Sequence, residues 1–145
     1  MHDKMELLNA LPNKNNTIYM VERSIYSDIC FVHTLHTSNI MEPFEYKLIN
    51  DVRNVYERNV KKKPDLIIYL RPSLETCMER VKIRNRKEEL ELTNDYQSTL
   101  FKYHDILFNK EKYQTLYSGD IPILILDDNH ITPELIEKIK TFIKK

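Results

Sequence analysis

The sequence predicts an α/β fold in which helices cover both faces of a doubly wound parallel sheet. Three short apolar runs, at residues 17–21, 66–70 and 121–126, are bounded by polar or proline-containing segments. Such runs have the composition of strands that are buried on both faces. Segments with helical periodicity separate the three runs, and buried strands that alternate with helices are typical of a parallel sheet.

Helical periodicity also predicts two helices between the first and second runs, over residues 24–36 and 43–60. In the first of them Ile25, Ile29 and Val32 share one face. The second carries an apolar stripe that comprises Phe44, Leu48, Val52 and Val55. We expect this stripe to face the core.

Hydroxyl side chains mark where three later helices begin. Ser73, Thr93 and Thr132 are good N-cap residues, and each precedes an apolar stripe at helical spacing. Pro133 suits the first turn of the last helix. We expect all three stripes to form core, and their members include Leu74, Cys77, Met78, Val81, Tyr96, Leu100, Leu107, Leu135, Ile139 and Phe142.

Composition and charge exclude several classes of protein. A chain of 145 residues, of which 41% are hydrophobic, is expected to form one globular domain over residues 1–145. Its 22 basic residues balance 22 acidic ones, so we expect neither nucleic acid nor a membrane as partner. No apolar signal core or membrane span is evident, and a cytoplasmic location is expected. Cys30 and Cys77 are expected to be reduced.

Gly119 is the only glycine in the sequence. Phosphate-binding loops of the GxxxxGK[ST] and GxGxxG types need glycines to turn backbone amides toward the anion, so these 145 residues contain neither. Cys30, His33 and His36 are spaced by three, but no carboxylate accompanies them and we expect no metal site. Any phosphate is therefore expected to meet side chains.

The segment from Arg80 to Glu89 concentrates charges of both signs. Arg80 and Arg84 are four residues apart, so on a helix they share a face and could grip one polyanion. Arg86 and Glu89 follow closely. Such a segment can bind phosphates with its bases and a hydroxylated ligand with its acids. Taken alone, it is more typical of a solvated helix end with ion pairs.

Polar residues also follow the first apolar run, where open α/β sheets place their ligand sites. The polar segment Glu22-Arg23-Ser24 and several later motifs occur in the same order as in the deoxynucleoside kinase family. The chain resembles that family from about residue 17 to the C-terminus. The matching motifs are Glu22-Arg23-Ser24, Asp28, the run that ends at Arg71, Glu75 to Arg80, Arg84-Asn-Arg86-Lys-Glu88-Glu89, Tyr96, His104 and the run that ends at Asp127.

The resemblance implies a P-loop-kinase-like fold and a role in nucleotide salvage. The implied reaction transfers the γ-phosphoryl group of ATP, or of another nucleoside triphosphate, to the 5′-hydroxyl of a deoxynucleoside with Mg²⁺. It also implies a homodimer or a complementing chain as partner. Arg23 matches the arginine that supports the reacting 5′ end of the deoxynucleoside, and Glu22 lies beside it. Asp28 matches the acid that helps to read the base, although Val32 replaces a common aromatic and leaves base preference open.

The resemblance further assigns residues to the sugar and to the phosphate donor. Glu89 matches the residue that accepts the 3′-hydroxyl, and Tyr96 matches a tyrosine near the sugar. Arg80, Arg84 and Arg86 match the lid that reaches the donor's phosphates, with Arg84 also catalytic. The loop expected to pass the adenine base comprises Asp128, Asn129 and His130.

By the same resemblance, the phosphate loop, the acidic general base and a central strand lie upstream of the matched segment. The chain is therefore expected to be the C-terminal portion of such a kinase and inactive alone. A non-catalytic remnant that binds nucleoside or a protein partner is the alternative. A nucleoside monophosphate kinase fits less well, because the Glu-Arg-Ser and Arg-x-Arg-x-Glu-Glu motifs suit nucleosides better. A neighbouring reading frame that encodes GxxxxGK[ST] would favour the kinase.

Overall fold

A computed structural model describes residue 6 and residues 9–12, 17–23, 25–59, 63–89, 91–108 and 121–144, with Ile25 described by its backbone alone. Contacts divide the chain into two compact units, Met1–Lys63 and Pro64–Lys145. Within the described ranges, no helix combines the length and apolar character that a membrane crossing requires.

The first unit contains helices α1 (Ile25–Thr37) and α2 (Pro43–Asn59). Both follow the helical periodicity of the sequence. Ile29 and Val32 are buried on α1 as predicted, together with Cys30 and Thr34. The Thr34 hydroxyl donates to the Cys30 carbonyl at 2.7 Å, which satisfies a buried polar group. Burial raises the pKa of the Cys30 thiol to about 12, so this cysteine is an unreactive core residue.

Helix α2 contacts α1 through Tyr46. The Tyr46 ring stacks on His36 with ring centroids 4.2 Å apart, and its hydroxyl shares a 2.9 Å hydrogen bond with Nδ1 of His33. His36 Nδ1 also lies 3.3 Å from the Met41 carbonyl. Burial lowers the pKa of His33, which favours the neutral imidazole.

The expectation that the apolar stripe of α2 faces the core is wrong. Its four side chains, Phe44, Leu48, Val52 and Val55, are all exposed, and Phe44 is 75% exposed. The face that contacts α1 is instead the one that carries Tyr46. Helical spacing shows that the apolar residues share a face, but it does not show what covers that face.

The expectation of a buried strand at residues 17–21 is also wrong. No strand is assigned there, and Ile18 and Met20 are 69% and 78% exposed. β-branched and aromatic residues favour extended backbone, but a strand also needs a neighbour that pairs with its backbone groups. Among the described residues, this segment pairs with no strand.

The second unit contains two parallel strands, β1 (Ile67–Leu70) and β2 (Ile123–Leu126). They pair directly, with Ile67 opposite Ile123 and Leu70 opposite Leu126. The prediction that these two runs form parallel strands is confirmed. The Tyr69 ring lies 5.2 Å from that of Phe108, so β1 packs against the helix that carries Phe108. Among the residues described in this unit, the buried apolar ones are Tyr69, Leu107, Phe108, Leu126 and Leu135.

In the described part of this unit there are three α-helices, α3 (Leu74–Arg84), α4 (Asn94–Phe108) and α5 (Pro133–Ile143). A 3₁₀ turn, Lys87–Glu89, lies between α3 and α4 in the chain. All three predicted caps are confirmed, because the hydroxyls of Ser73, Thr93 and Thr132 accept the N–H groups of Thr76, Tyr96 and Leu135. Helix α3 contacts α4, and α5 contacts β2.

Candidate functional site

Two oppositely charged residues follow the parallel strands at the same edge of the sheet. Arg71 comes directly after β1, and Asp127 comes directly after β2. The Arg71 Nε donates to Asp127 Oδ1 at 2.5 Å, and its Nη2 donates to Oδ2 at 2.9 Å. Its Nη1 donates to Oδ1 of Asp105, from α4, at 2.6 Å. The hydrogen bonds from Arg71 hold the pKa of Asp127 below its ordinary value.

The 127–130 loop, which links β2 to α5, is anchored by the turn between β1 and α3. The Ser73 N–H donates to Oδ1 of Asn129 at 2.8 Å. Arg80 donates from Nη2 to the Asn129 carbonyl. Asp128 and His130 are exposed beside it. The structure thus brings together Arg80 and the predicted adenine loop.

The arginine-rich segment folds back on itself at the end of α3. Asn85 takes a left-handed conformation with φ 45°, and its N–H bonds the Val81 carbonyl, which ends the helix. The 3₁₀ turn then returns the chain, so that Glu89 meets Arg84. The Arg84 Nε and Nη2 donate to the two carboxylate oxygens of Glu89 at 3.0 and 2.6 Å. Arg80 and Arg84 share a helix but have different partners.

A cavity of about 310 Å³ lies beside this turn, between α3 and α4. Met78, Val81 and Leu92 give it apolar walls, while Arg86 and Glu89 give it charges of both signs. Tyr96 is half-buried on α4, and burial raises its pKa. A larger cavity of about 670 Å³ between β2 and α5 is lined by none of the predicted site residues.

Three predicted site residues belong to the first unit. Glu22 and Arg23 are exposed just before α1, and Asp28 lies in its first turn. Arg23 has a φ of 59°, and its guanidinium carbon lies 4.8 Å from the centroid of the Phe31 ring. A left-handed residue other than glycine costs about 1–2 kcal/mol, and such residues are enriched at functional sites. Ser24, the last residue of the motif, lies outside the described residues.

Sequence reasoning gave no site role to Arg71, Asp105 or Asp127. Asp105 lies 34 positions after Arg71 and Asp127 lies 56 positions after it, so no local spacing relates the three residues. Two signals were available. Arg71 and Asp127 each directly follow a predicted parallel strand, and such strands place their carboxyl ends at one edge. Asp105 is a charged residue two positions before Leu107, which belongs to the predicted core stripe of that helix.

Residues 2–145 match the deoxynucleoside kinase family. The chain belongs to this family. It is 36% identical over 112 residues to deoxyadenosine kinase of Lactobacillus acidophilus, covering 72% of this chain and 51% of the relative. It is 30% identical over 146 residues to human deoxycytidine kinase, covering 94% of this chain and 56% of the relative. The chain thus spans about half the length of the curated relatives it matches.

Solved structures of the deoxynucleoside kinase family agree with the fold. One is deoxyadenosine kinase from M. mycoides with dCMP and dCDP bound, which superimposes with a TM-score of 0.74 at 26% identity. The match covers 99% of this chain and 69% of that one. The predicted family and the predicted P-loop-kinase-like fold class are confirmed. At the level of the family, the activity is phosphorylation of nucleosides with a nucleotide donor.

Proposed function

We propose that this chain provides the lid and part of the substrate site of an ATP-dependent deoxynucleoside kinase. In the reaction, the 5′-oxygen of the deoxynucleoside attacks the γ-phosphorus of ATP, and the bond to the β-phosphate's bridging oxygen breaks. ADP leaves, and the proton of the 5′-hydroxyl passes to a carboxylate base. The segment that holds the phosphate loop and this base is supplied by sequence outside these 145 residues.

The observation that carries the proposal is the bidentate pair between Arg84 and Glu89. An arginine suits a phosphate, and a carboxylate accepts strongly from a sugar hydroxyl. A phosphate donor and a deoxynucleoside together present both groups. The Arg84 side chain is 46% exposed and the Glu89 side chain 17% exposed, so the arginine is partly open to solvent and can change its partner at little cost. When the two substrates bind, Arg84 can therefore leave Glu89 and bind a phosphate, and Glu89 can accept the sugar hydroxyl.

The roles of the other residues follow from the chemistry of phosphoryl transfer. The reaction depends mostly on positioning and on stabilising charge at the transferred group. We assign Arg80, Arg84 and Arg86 to the donor's phosphates. We assign Arg23 and Glu22 to the reacting 5′ end. The remaining contacts, to base, sugar and adenine, are assigned to Asp28, Tyr96, Asp128, Asn129 and His130.

Mg²⁺ would arrive with the phosphates of the nucleotide. Within the described part of the chain, no group of three or more His, Cys, Asp or Glu side chains is arranged to hold a metal ion. These residues therefore do not fit a metal site made by protein ligands alone. Magnesium in kinases is usually held by one or two carboxylates together with substrate phosphates and waters. A homodimer or complementing chain and a cytoplasmic location remain predictions from the sequence.

Glu89→Gln tests the proposed function without requiring turnover. The substitution keeps the shape but removes the charge that strengthens a hydrogen bond from the 3′-hydroxyl. Charge-assisted hydrogen bonds exceed neutral ones by about 1 kcal/mol, which corresponds to about fivefold in affinity. We expect the preference for each deoxynucleoside over its 3′-deoxy analogue to fall by about that factor, as measured by calorimetric titration.

Glu137→Gln is the matched control, because Glu137 also pairs with a cation, Lys140, on an exposed helix face. It should leave both affinities unchanged. Equal affinity of the unaltered chain for deoxynucleosides and their 3′-deoxy analogues would overturn the assignment of Glu89. Nucleoside binding without turnover, even after an N-terminal half from a related kinase is added, would favour the non-catalytic alternative.

A further inference from the structure

Arg71 is fixed in place by the strand that precedes it. Its backbone N–H donates to the Leu126 carbonyl at 2.8 Å, so the pairing of β1 with β2 continues one residue beyond the strand. Its side chain is 22% exposed. With the backbone held and most of the side chain covered, the guanidinium has a defined direction.

The guanidinium of Arg71 divides its N–H groups between two carboxylates. One is Asp105 of α4, which is 7% exposed, and the other is Asp127, the first residue of the 127–130 loop. A planar guanidinium can make the two-pronged bond to Asp127 and still reach Asp105, which a lysine ammonium cannot do with the same geometry. Arg71 therefore ties the start of the loop to a buried acid in the core.

The same turn also contacts the middle of the loop. Ser73, two residues after Arg71, donates its N–H to Asn129 at 2.8 Å, and Arg80 donates to the Asn129 carbonyl. Both contacts are exposed to solvent, where single hydrogen bonds contribute little. Arg71 bonds Asp127, whose side chain is 62% exposed, and it also bonds the buried Asp105, so it links the loop to the core.

We propose that Arg71 is a positioning residue that sets the conformation of the 127–130 loop and, through it, the affinity for the adenine nucleotide. The part of this inference that concerns the nucleotide rests on the proposed function, which assigns the loop to the adenine base. The part that concerns the loop stands on the contacts of Arg71. The guanidinium itself is engaged by the two carboxylates, so it acts through Asp127.

The test compares the unaltered chain with four variants, each in a kinase assembled from the 145 residues and the N-terminal half of a related kinase. Arg71→Gln removes both ion pairs, and Asp127→Ala removes only the one that reaches the loop. The third variant combines the two substitutions. Lys140→Gln is the control, because it breaks an exposed ion pair with Glu137 on the neighbouring α5. Amide hydrogen exchange and ¹⁵N chemical shifts are measured by NMR at Ser73, at residues 128–130 and at the Asn129 side chain. Urea unfolding is measured in parallel.

We expect Arg71→Gln and Asp127→Ala each to shift the loop signals and to speed exchange at the Ser73 amide by about threefold. That factor corresponds to losing a solvent-exposed hydrogen bond worth about 0.6 kcal/mol. The double variant should show no further change, because both substitutions remove the same link. The Leu135 amide, which bonds the Thr132 hydroxyl, should exchange as before. Lys140→Gln should change none of these signals.

A purely structural role gives a different result. If Arg71 only ties the strand ends together, Arg71→Gln lowers the urea midpoint but leaves the loop signals where they are, and the inference is overturned. Arg71→Gln could also fail to fold, since it leaves Asp105 buried without its cation. Asp127→Ala then carries the test, because Arg71 and Asp105 still pair. Unmoved loop signals in that variant would equally overturn the inference.

Titration with ATP separates this inference from the proposed function. If ATP shifts the signals of residues 128–130 in the unaltered chain, its dissociation constant should rise about tenfold in Arg71→Gln, while deoxynucleoside affinity stays within about twofold. If ATP binds but its affinity is unchanged in Arg71→Gln, the link to the nucleotide is overturned. If ATP shifts no loop signal in the unaltered chain, the assignment of the loop to adenine fails, and positioning of the loop is judged by the NMR result alone.

Discussion

Arg84 and Glu89 bond each other in the structure, although each is assigned to a different substrate. An exposed ion pair of this kind contributes about 0–1 kcal/mol to stability. A fixed cation beside the transferring phosphoryl group can be worth about 10³–10⁵ in rate. Arg84 should therefore contribute far more to the reaction rate than to the free energy of unfolding, and a substitution there should separate the two effects.

Arg84→Ala should therefore reduce turnover by at least about tenfold in a kinase assembled from this chain and the N-terminal half of a relative. The melting temperature should remain nearly unchanged, because Arg84, the residue that is altered, is 46% exposed and contributes little to folding. Turnover is measured by formation of the deoxynucleoside monophosphate, and melting by circular dichroism. Lys140→Ala, which breaks the exposed pair with Glu137, should change neither. Full activity in Arg84→Ala would remove Arg84 from the donor site.

At the scale of secondary structure, the helix starts of the second unit depend on single hydroxyl groups. Thr132 has extended backbone, and its Oγ1 accepts the Leu135 N–H at 3.2 Å. Pro133 follows at the first helical position, where its missing N–H leaves no bond unmade. Helix α5 is amphipathic and packs against β2 through its apolar side. Loss of the cap hydrogen bond should therefore also weaken the packing of α5 against β2.

Thr132→Ala should lower the free energy of unfolding by about 1 kcal/mol, the usual loss when an N-cap hydroxyl is removed. Urea denaturation followed by circular dichroism measures the change. Thr141→Ala provides the matched control, since it makes the same substitution at an exposed position in the last turn of α5, away from the cap. Alanine favours a helix interior, so this variant should be as stable as the unaltered chain or slightly more so. Equal losses in both variants would mean that the cap contributes nothing.

The two parallel strands were predicted correctly from their apolar runs, and the helix caps were predicted correctly because nearby residues determine them. The caps at Ser73, Thr93 and Thr132 involve partners only three positions away, and the structure confirms all three. The stripe that begins at Phe44 was placed on one face correctly, but what covers a face depends on distant residues. The bonds between Arg71 and Asp127 join positions 56 apart, so only the parallel pairing of β1 and β2 could have predicted them.

At the scale of the whole molecule, the first unit exposes much apolar surface. Its exposed side chains include Ile18, Met20, Phe44, Leu48, Val52 and Val55. Exposed apolar side chains on a folded chain can mark an interaction site or promote association. The curated relatives are about twice as long as the part that this chain matches. We expect the chain to cover these side chains by associating with itself or with further kinase sequence.

We therefore predict that these 145 residues alone do not transfer phosphoryl groups at a kinase-like rate. With Gly119 as their only glycine, they cannot form a loop that surrounds the β- and γ-phosphates with backbone amides, and the lid arginines cannot replace those fixed donors. We expect the chain alone to self-associate in sedimentation experiments, and expect an N-terminal half from a related kinase to restore both a single species and activity. If the purified chain alone phosphorylated thymidine or deoxycytidine from ATP at about 1 per second, the low end for kinases, that prediction would be wrong.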